Sequence, residues 1–205
     1  MRTTTDRFSL VDKSRKNTPQ NNRKYILESV NNTLNDPVVK ERIALGEMFG
    51  YFGHGRRAMS YDRTGSLNLP ETTVMMVEGK PVIVDNVPSN RTLSISMDDS
   101  GIVTHTQEIL DTPTGQIVDG MEKASAGGWS WATGGDDQPL GSFVSSYHGM
   151  DYVNNPNFIS LSKAGMMFES AESRVASTVR QLQQSGFSES AAVDIASHFE
   201  KLNEL

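Results

Sequence analysis

Between residues 73 and 110 the chain holds four short runs rich in β-branched and apolar residues, at 73–77, 81–84, 91–97 and 101–110, each set off from the next by turn residues. Runs of this length bounded by Gly, Pro, Asn and Asp read as strands, and four in succession commit the middle of the chain to a sheet. In the third run Leu93, Ile95 and Met97 alternate with polar residues, as a half-buried strand requires. These segments are expected to form the heart of the sheet. At 205 residues with 36% hydrophobic content, the chain suits one sizeable domain with appended segments rather than two full domains.

The flanks read differently. Residues 1–22 are polar with almost no apolar clustering and are expected to be a mobile arm without chemistry. A helical region follows over 24–48, and Asp36-Pro37 supplies an N-cap and first-turn proline that restart it midway. After the strands, Asp111-Thr112-Pro113 breaks the pattern. Ile117, Val118, Met121 and Ala124 then recur at helical spacing before Gly127-Gly128. A second β region is expected over 142–147, 150–153 and 157–161. From residue 165 the pattern is helical again, with Ala171, Val175, Val179 and Leu182 on one face and Ile195, Ala196, Phe199 and Leu202 on another, which predicts a helical hairpin. The expected division is an arm at 1–22, a domain at 23–163 and a helical segment at 164–205.

Composition removes several classes of function. A net charge of −6, with no stripe of Lys and Arg, argues against nucleic-acid binding. The absence of cysteine excludes disulfides, thiolate catalysis and Cys-ligated zinc, and the four histidines show no metal-ligand spacing, so neither metal nor cofactor is expected. No run approaches the length of a membrane span and the N-terminus lacks an apolar targeting region, which together predict a cytoplasmic protein without a membrane partner.

One stretch invites a catalytic reading. Gly127-Gly128-Trp129-Ser130-Trp131-Ala132-Thr133-Gly134-Gly135 sets a lone serine between two tryptophans and two glycine pairs, the composition of a nucleophile's turn as well as of an ordinary surface loop. A nucleophilic serine needs a base within hydrogen-bond reach and a third group to orient that base. Among the histidines, His54 stands out because Phe52-Gly53-His54-Gly55 places an imidazole in a glycine turn between a helix and the sheet. His105 reads as a sheet-face residue and His198 as a surface residue, while His148, near Asp151, reads as an orienter or a loop residue.

Several of these residues, taken in order, resemble the prohead (head maturation) proteases of large tailed bacteriophages, relatives of the herpesvirus assemblins. The similarity spans about residues 21–160. It begins with Asn22-Arg23-Lys24-Tyr25, passes through Ala44-Leu45-Gly46-Glu47 to Gly53-His54-Gly55, and continues with Ile109-Leu110-Asp111-Thr112-Pro113-Thr114-Gly115, Gly128-Trp129-Ser130 and Asp151-Tyr152-Val153-Asn154-Asn155-Pro156. The resemblance implies an α/β (α+β) fold with a small, mostly antiparallel barrel-like sheet flanked by helices. It also implies a serine endopeptidase that cleaves scaffold and major capsid proteins inside the assembling prohead, in the host cytoplasm. Ser130 would be the nucleophile, His54 the general base and Asp151 the orienting carboxylate, with His148 as runner-up for the third place. The C-terminal hairpin would dock on scaffold or on another copy of the chain. Self-processing is expected after Glu28 in Ile26-Leu27-Glu28 and after Glu169 in Met167-Phe168-Glu169, both in segments that read as peripheral.

Two departures from the family pattern keep other readings open. Ser130-Trp131-Ala132-Thr133 lacks the arginine that follows the family's serine, and Gly55 replaces the usual proline. The first alternative is a catalytically inactive prohead core protein with the same fold, and the second is an unrelated serine hydrolase.

Overall fold

A computed structural model describes residues 1–15 and 23–163, together with scattered positions between 179 and 194. The chain divides into two compact units, Met1–Leu161 and Ser162–Leu205. The expected C-terminal hairpin and the segment around Glu169 lie outside the described residues.

The first unit is an α+β fold. Strand β1 (Arg2–Ser9) pairs antiparallel with β6 (Ile102–Ile109), β6 with β5 (Asn90–Met97), and β5 with the short β2 (Phe49–Gly50). Beyond β2 the chain runs alongside β8 (Gly141–Val153), since Tyr152 N–H donates to Tyr51 O at 2.9 Å and Gly53 N–H to Tyr152 O at 2.8 Å. Strand β7 (Gly128–Gln138) completes the path by pairing with β8. Among the described residues β1 and β7 do not pair, so the strands form no closed barrel.

The polar arm predicted for residues 1–22 is, over its first part, an edge strand. Arg2–Ser9 pairs along its whole length with β6, alternates in burial and inserts Phe8 into the core. Three consecutive threonines favour extended backbone, and Arg2 is tied to Asp119 and Glu122.

The four expected strands form, but not as one heart. β3 (Thr72–Val77) and β4 (Lys80–Asp85) make a separate two-stranded ribbon. Its Val74, Met76 and Ile83 are exposed, Ile83 by 72%. In β5 a register shift between Thr92 and Ser94 breaks the predicted alternation, leaving Leu93 exposed while Ile95 and Met97 rest against the core.

The core gathers residues from β1, β6, β7 and β8 with α1 and Phe158. Phe8 stacks on Phe158 at 4.7 Å between centroids and meets Trp131 edge-on at 5.3 Å, and Trp129 meets Tyr152 edge-on at 4.9 Å. Part of this interior is polar. Asn90 Nδ2 and Thr92 Oγ1 both donate to Gln107 Oε1, at 3.0 and 3.1 Å, and Gln107 Nε2 lies 3.4 Å from His105 Nδ1.

Helices cover the outside. α1 (Leu27–Leu34) and α2 (Pro37–Ala44) flank the predicted break, where Asp36 caps α2 by accepting from Val38 N–H at 2.8 Å. α1 is bound to β8: Val144 N–H donates to Ser29 Oγ and Thr33 Oγ1 to Val144 O. The segment around Glu28 is therefore built into the fold rather than peripheral. α4 (Pro113–Lys123) forms where the helical spacing predicted it, and Thr112 caps it by accepting from Gly115 N–H. α3 (Gly55–Thr64) has no counterpart in the sequence reading. Residues 157–161 contribute no strand to the sheets; Phe158 serves the core instead.

Candidate active site

The carboxylate of Asp151, on β8 and fully buried, is the centre of the best-defined polar cluster around the proposed triad. Three residues close on it. Tyr51 N–H donates to Oδ1 at 2.9 Å, His54 Nδ1 lies 2.8 Å from Oδ2, and Arg57 Nε donates to Oδ1 and Oδ2 at 3.1 and 2.9 Å while Nη2 adds a bond to Oδ1 at 3.1 Å. A charged carboxylate out of water needs this degree of pairing, and guanidinium is suited to supply it with a planar fork of donors.

Local structure explains the convergence. Gly50 allows β2 to cross against β8, because a Cβ there would stand 1.7 Å from Met150 O. That approach delivers the Tyr51 amide to Asp151. Gly53, at φ +83°, then turns the chain into α3, with His54 at its N-cap and Arg57 one helical turn later. Positions three apart share a helix face, so both side chains reach the same carboxylate. Arg57 is itself locked: Nη1 and Nη2 donate to Leu67 O and Phe49 O at 2.8 and 2.9 Å, and its guanidinium carbon lies 4.9 Å from the Tyr51 ring centroid.

Since an ionised carboxylate only accepts, the bond to Asp151 places the proton of neutral His54 on Nδ1 and leaves the Nε2 lone pair free to act as a base.

Ser130 is in strand β7 rather than in a glycine turn, directly opposite Asp151 in the ladder. Opposed residues of an antiparallel pair project to the same face with Cβ atoms about 4.5–5.5 Å apart. Alternation sends Trp129 and Trp131 to the other face, into the core, so they do not shield the hydroxyl as the sequence suggested. Ser130 is 1% exposed, and its Oγ has no hydrogen-bond partner among the described residues. The structure thus brings His54 and Asp151 into contact and sets Ser130 opposite Asp151 in the ladder, with no hydrogen bond from its Oγ among the described residues.

His148, the alternative third member, points elsewhere, with Nδ1 2.9 Å from Asn68 Oδ1 and Nε2 3.0 Å from Ser146 Oγ. His105 is a buried sheet-face residue, as read from sequence, and His198 lies outside the described residues. Sequence reasoning missed Arg57 altogether. The signal was its spacing of three from His54, which has meaning only once a helix is assigned from Gly55.

No protein-family model matches this chain, and comparison with curated proteins and with solved structures found no match. Among the described residues no helix is long and apolar enough to cross a membrane.

Proposed function

We propose that this chain is a serine endopeptidase of phage prohead maturation, acting on scaffold and major capsid proteins inside the assembling head. Ser130 is the nucleophile, His54 the general base and Asp151 the residue that orients it. The observation that carries this reading is the His54 Nδ1 to Asp151 contact at 2.8 Å, made directly across the ladder from Ser130. In the reaction His54 Nε2 takes the proton of Ser130 Oγ as the oxygen attacks the scissile carbonyl, then gives it to the leaving amine. Arg57 and the Tyr51 amide hold Asp151 still while the imidazole changes charge. The 1% exposure of Ser130 requires a rearrangement before substrate reaches it, which suits a peptidase restrained until the head is built.

Self-processing belongs to the same proposal. At Glu28 it requires α1 to leave β8 first, because Ser29 and Thr33 bind the N–H and the C=O of Val144. The buried Ser130 hydroxyl, which has no hydrogen-bond partner among the described residues, favours a second reading, an inactive core protein of the prohead that keeps the fold.

Incubating the purified protein with its own scaffold and capsid precursors separates the two. Ser130→Ala and His54→Ala are expected to abolish processing to the same extent, since the two residues act as one unit. Normal processing by Ser130→Ala would return the chain to the structural reading.

A further inference from the structure

Upstream of Asp151 in β8, past a register shift against β7, a second serine and histidine are already hydrogen-bonded. His148 Nδ1 lies 2.9 Å from Asn68 Oδ1 in the loop after α3, and Arg42 Nη1 donates to that same Oδ1 at 3.4 Å. An arginine only donates, so this atom of Asn68 is the amide oxygen, and His148 Nδ1 must carry a proton to meet it. The Nε2 lone pair of the neutral ring then faces Ser146 Oγ at 3.0 Å, where it accepts the hydroxyl proton. Asn68 is held in place by its neighbours: its N–H donates to Ser66 Oγ and its carbonyl accepts from Ser60 Oγ, each at 3.1 Å. Burial, aided by the cations Arg57 and Arg42, pushes His148 down to about 4, so the ring stays neutral near pH 7.

The hydroxyl has room on one side only because of Gly134, where a Cβ would come within 2.5 Å of Ser146 Oγ. Past Gly134 and Leu67, and lined by these rather than by Ser146 or His148 themselves, opens a groove of about 200 Å³, walled also by Tyr61 and by the charged Arg23, Asp136 and Asp137. Its volume is below that of a drug-sized pocket and fits a small acyl group. A weakly basic imidazole suits a substrate whose leaving group departs readily, an ester rather than an amide.

We propose that Ser146, His148 and Asn68 form a second acyl-transfer site, distinct from Ser130, which takes small carboxylic esters. Ser146 Oγ bonds to the acyl carbon as its proton passes to His148 Nε2. The ester C–O bond then breaks, and the departing alkoxide or phenolate takes that proton. Water attacks the acyl-serine, giving one proton to His148, which returns it to Ser146 Oγ as the carboxylic acid leaves. Ser146 and His148 are the catalytic residues of this site, and Asn68 is a positioning residue that fixes the tautomer.

The test is acetylation of the full chain by p-nitrophenyl acetate, followed by intact mass and fragment mapping, since Ser130 and Ser146 fall in one tryptic peptide. Acetyl is expected on Ser146 in the wild type and in Ser130→Ala alike. Ser146→Ala should remove it, and His148→Ala should slow it by about a hundredfold. Asn68→Ala should slow it as well, with Asn68→Asp restoring the rate because a carboxylate accepts the same Nδ1–H. A thermal melt on each variant establishes that it is folded. Acetylation that persists unchanged in Ser146→Ala, or that falls only on amines, overturns the proposal. Loss of the label in Ser130→Ala with Ser146 unmodified overturns it too, while leaving the endopeptidase reading intact. Failure of capsid processing leaves Ser146 acetylation unaffected, so the two sites fail independently.

Discussion

Ser130 and Asp151 face one another across β7 and β8, the serine with a hydroxyl that has no hydrogen bond among the described residues and the aspartate with both oxygens bound by Tyr51, His54 and Arg57. The polar half of the proposed site is thus already fixed in the folded chain. On the proposed reading the serine is the adjustable member, since its Oγ has no hydrogen bond among the described residues to break before it turns toward His54 Nε2.

This asymmetry sets the outcome of Asp151→Asn. On the proposed triad alone, such a change would lower turnover and leave the fold intact. With the buried guanidinium of Arg57 paired to the same carboxylate, it should also destabilise the protein by about 3–5 kcal/mol. Urea denaturation measures the loss; a variant as stable as the wild type would mean that the Arg57 pairing contributes nothing.

Arg57→Lys should fail to rescue the site. An ammonium cannot reach both carboxylate oxygens together with Leu67 O and Phe49 O, so this variant is expected to lose at least about 2 kcal/mol. The Arg57→Met, Asp151→Leu pair should be less destabilised than the sum of the two single changes, since neither charge is then left alone. Strict additivity in the same denaturation series would contradict the coupling.

Burial pushes His105 down from its ordinary 6.5 to about 4, opposed by the nearby Asp6 and Glu122 carboxylates, and so keeps it neutral in the folded protein. The unfolded chain therefore binds this proton first. The stabilisation is complete above about pH 6.5 and is lost as pH falls toward 4, by about 3 kcal/mol for this one residue. His148 adds a smaller contribution of the same sign, because solvent screens it. A His105→Gln variant should show a flatter fall of the urea midpoint between pH 6.5 and 4, and an unchanged slope would remove His105 as the cause.

The β3–β4 ribbon should tolerate polar substitution. Ile83→Thr, at a side chain 72% exposed, is expected to shift stability by less than about 0.5 kcal/mol. A larger drop in the melting temperature would show that the residue is covered in solution.

The sequence was most legible where local chemistry decides local structure. Asp36-Pro37 and Thr112-Pro113 mark helix starts because the cap and the proline act within one turn, and β6 was recognisable from its residue types alone. α3 was not, because the residues it buries are Arg57 and Ser60, and a helix with a polar inner face carries no apolar stripe. β1 was hidden for a related reason: its buried positions are few and its threonines read as polar rather than as extended. At the site, His54 and Asp151 were reached through ordered motifs. Their contact depends on Gly50 and Gly53, whose effect on the backbone only the folded chain displays.

The pairing of β1 with β6 also bears on how the protein is made. The two strands stand roughly a hundred residues apart in the chain, and such distant partners form contacts late and slowly. During synthesis β1 waits without its ladder until β6 has emerged from the ribosome, and in that interval Phe8 has no core to enter. A chain stalled before residue 102 therefore presents an unpaired strand, so that the elongation rate through residues 10–100 bears on the yield of folded protein.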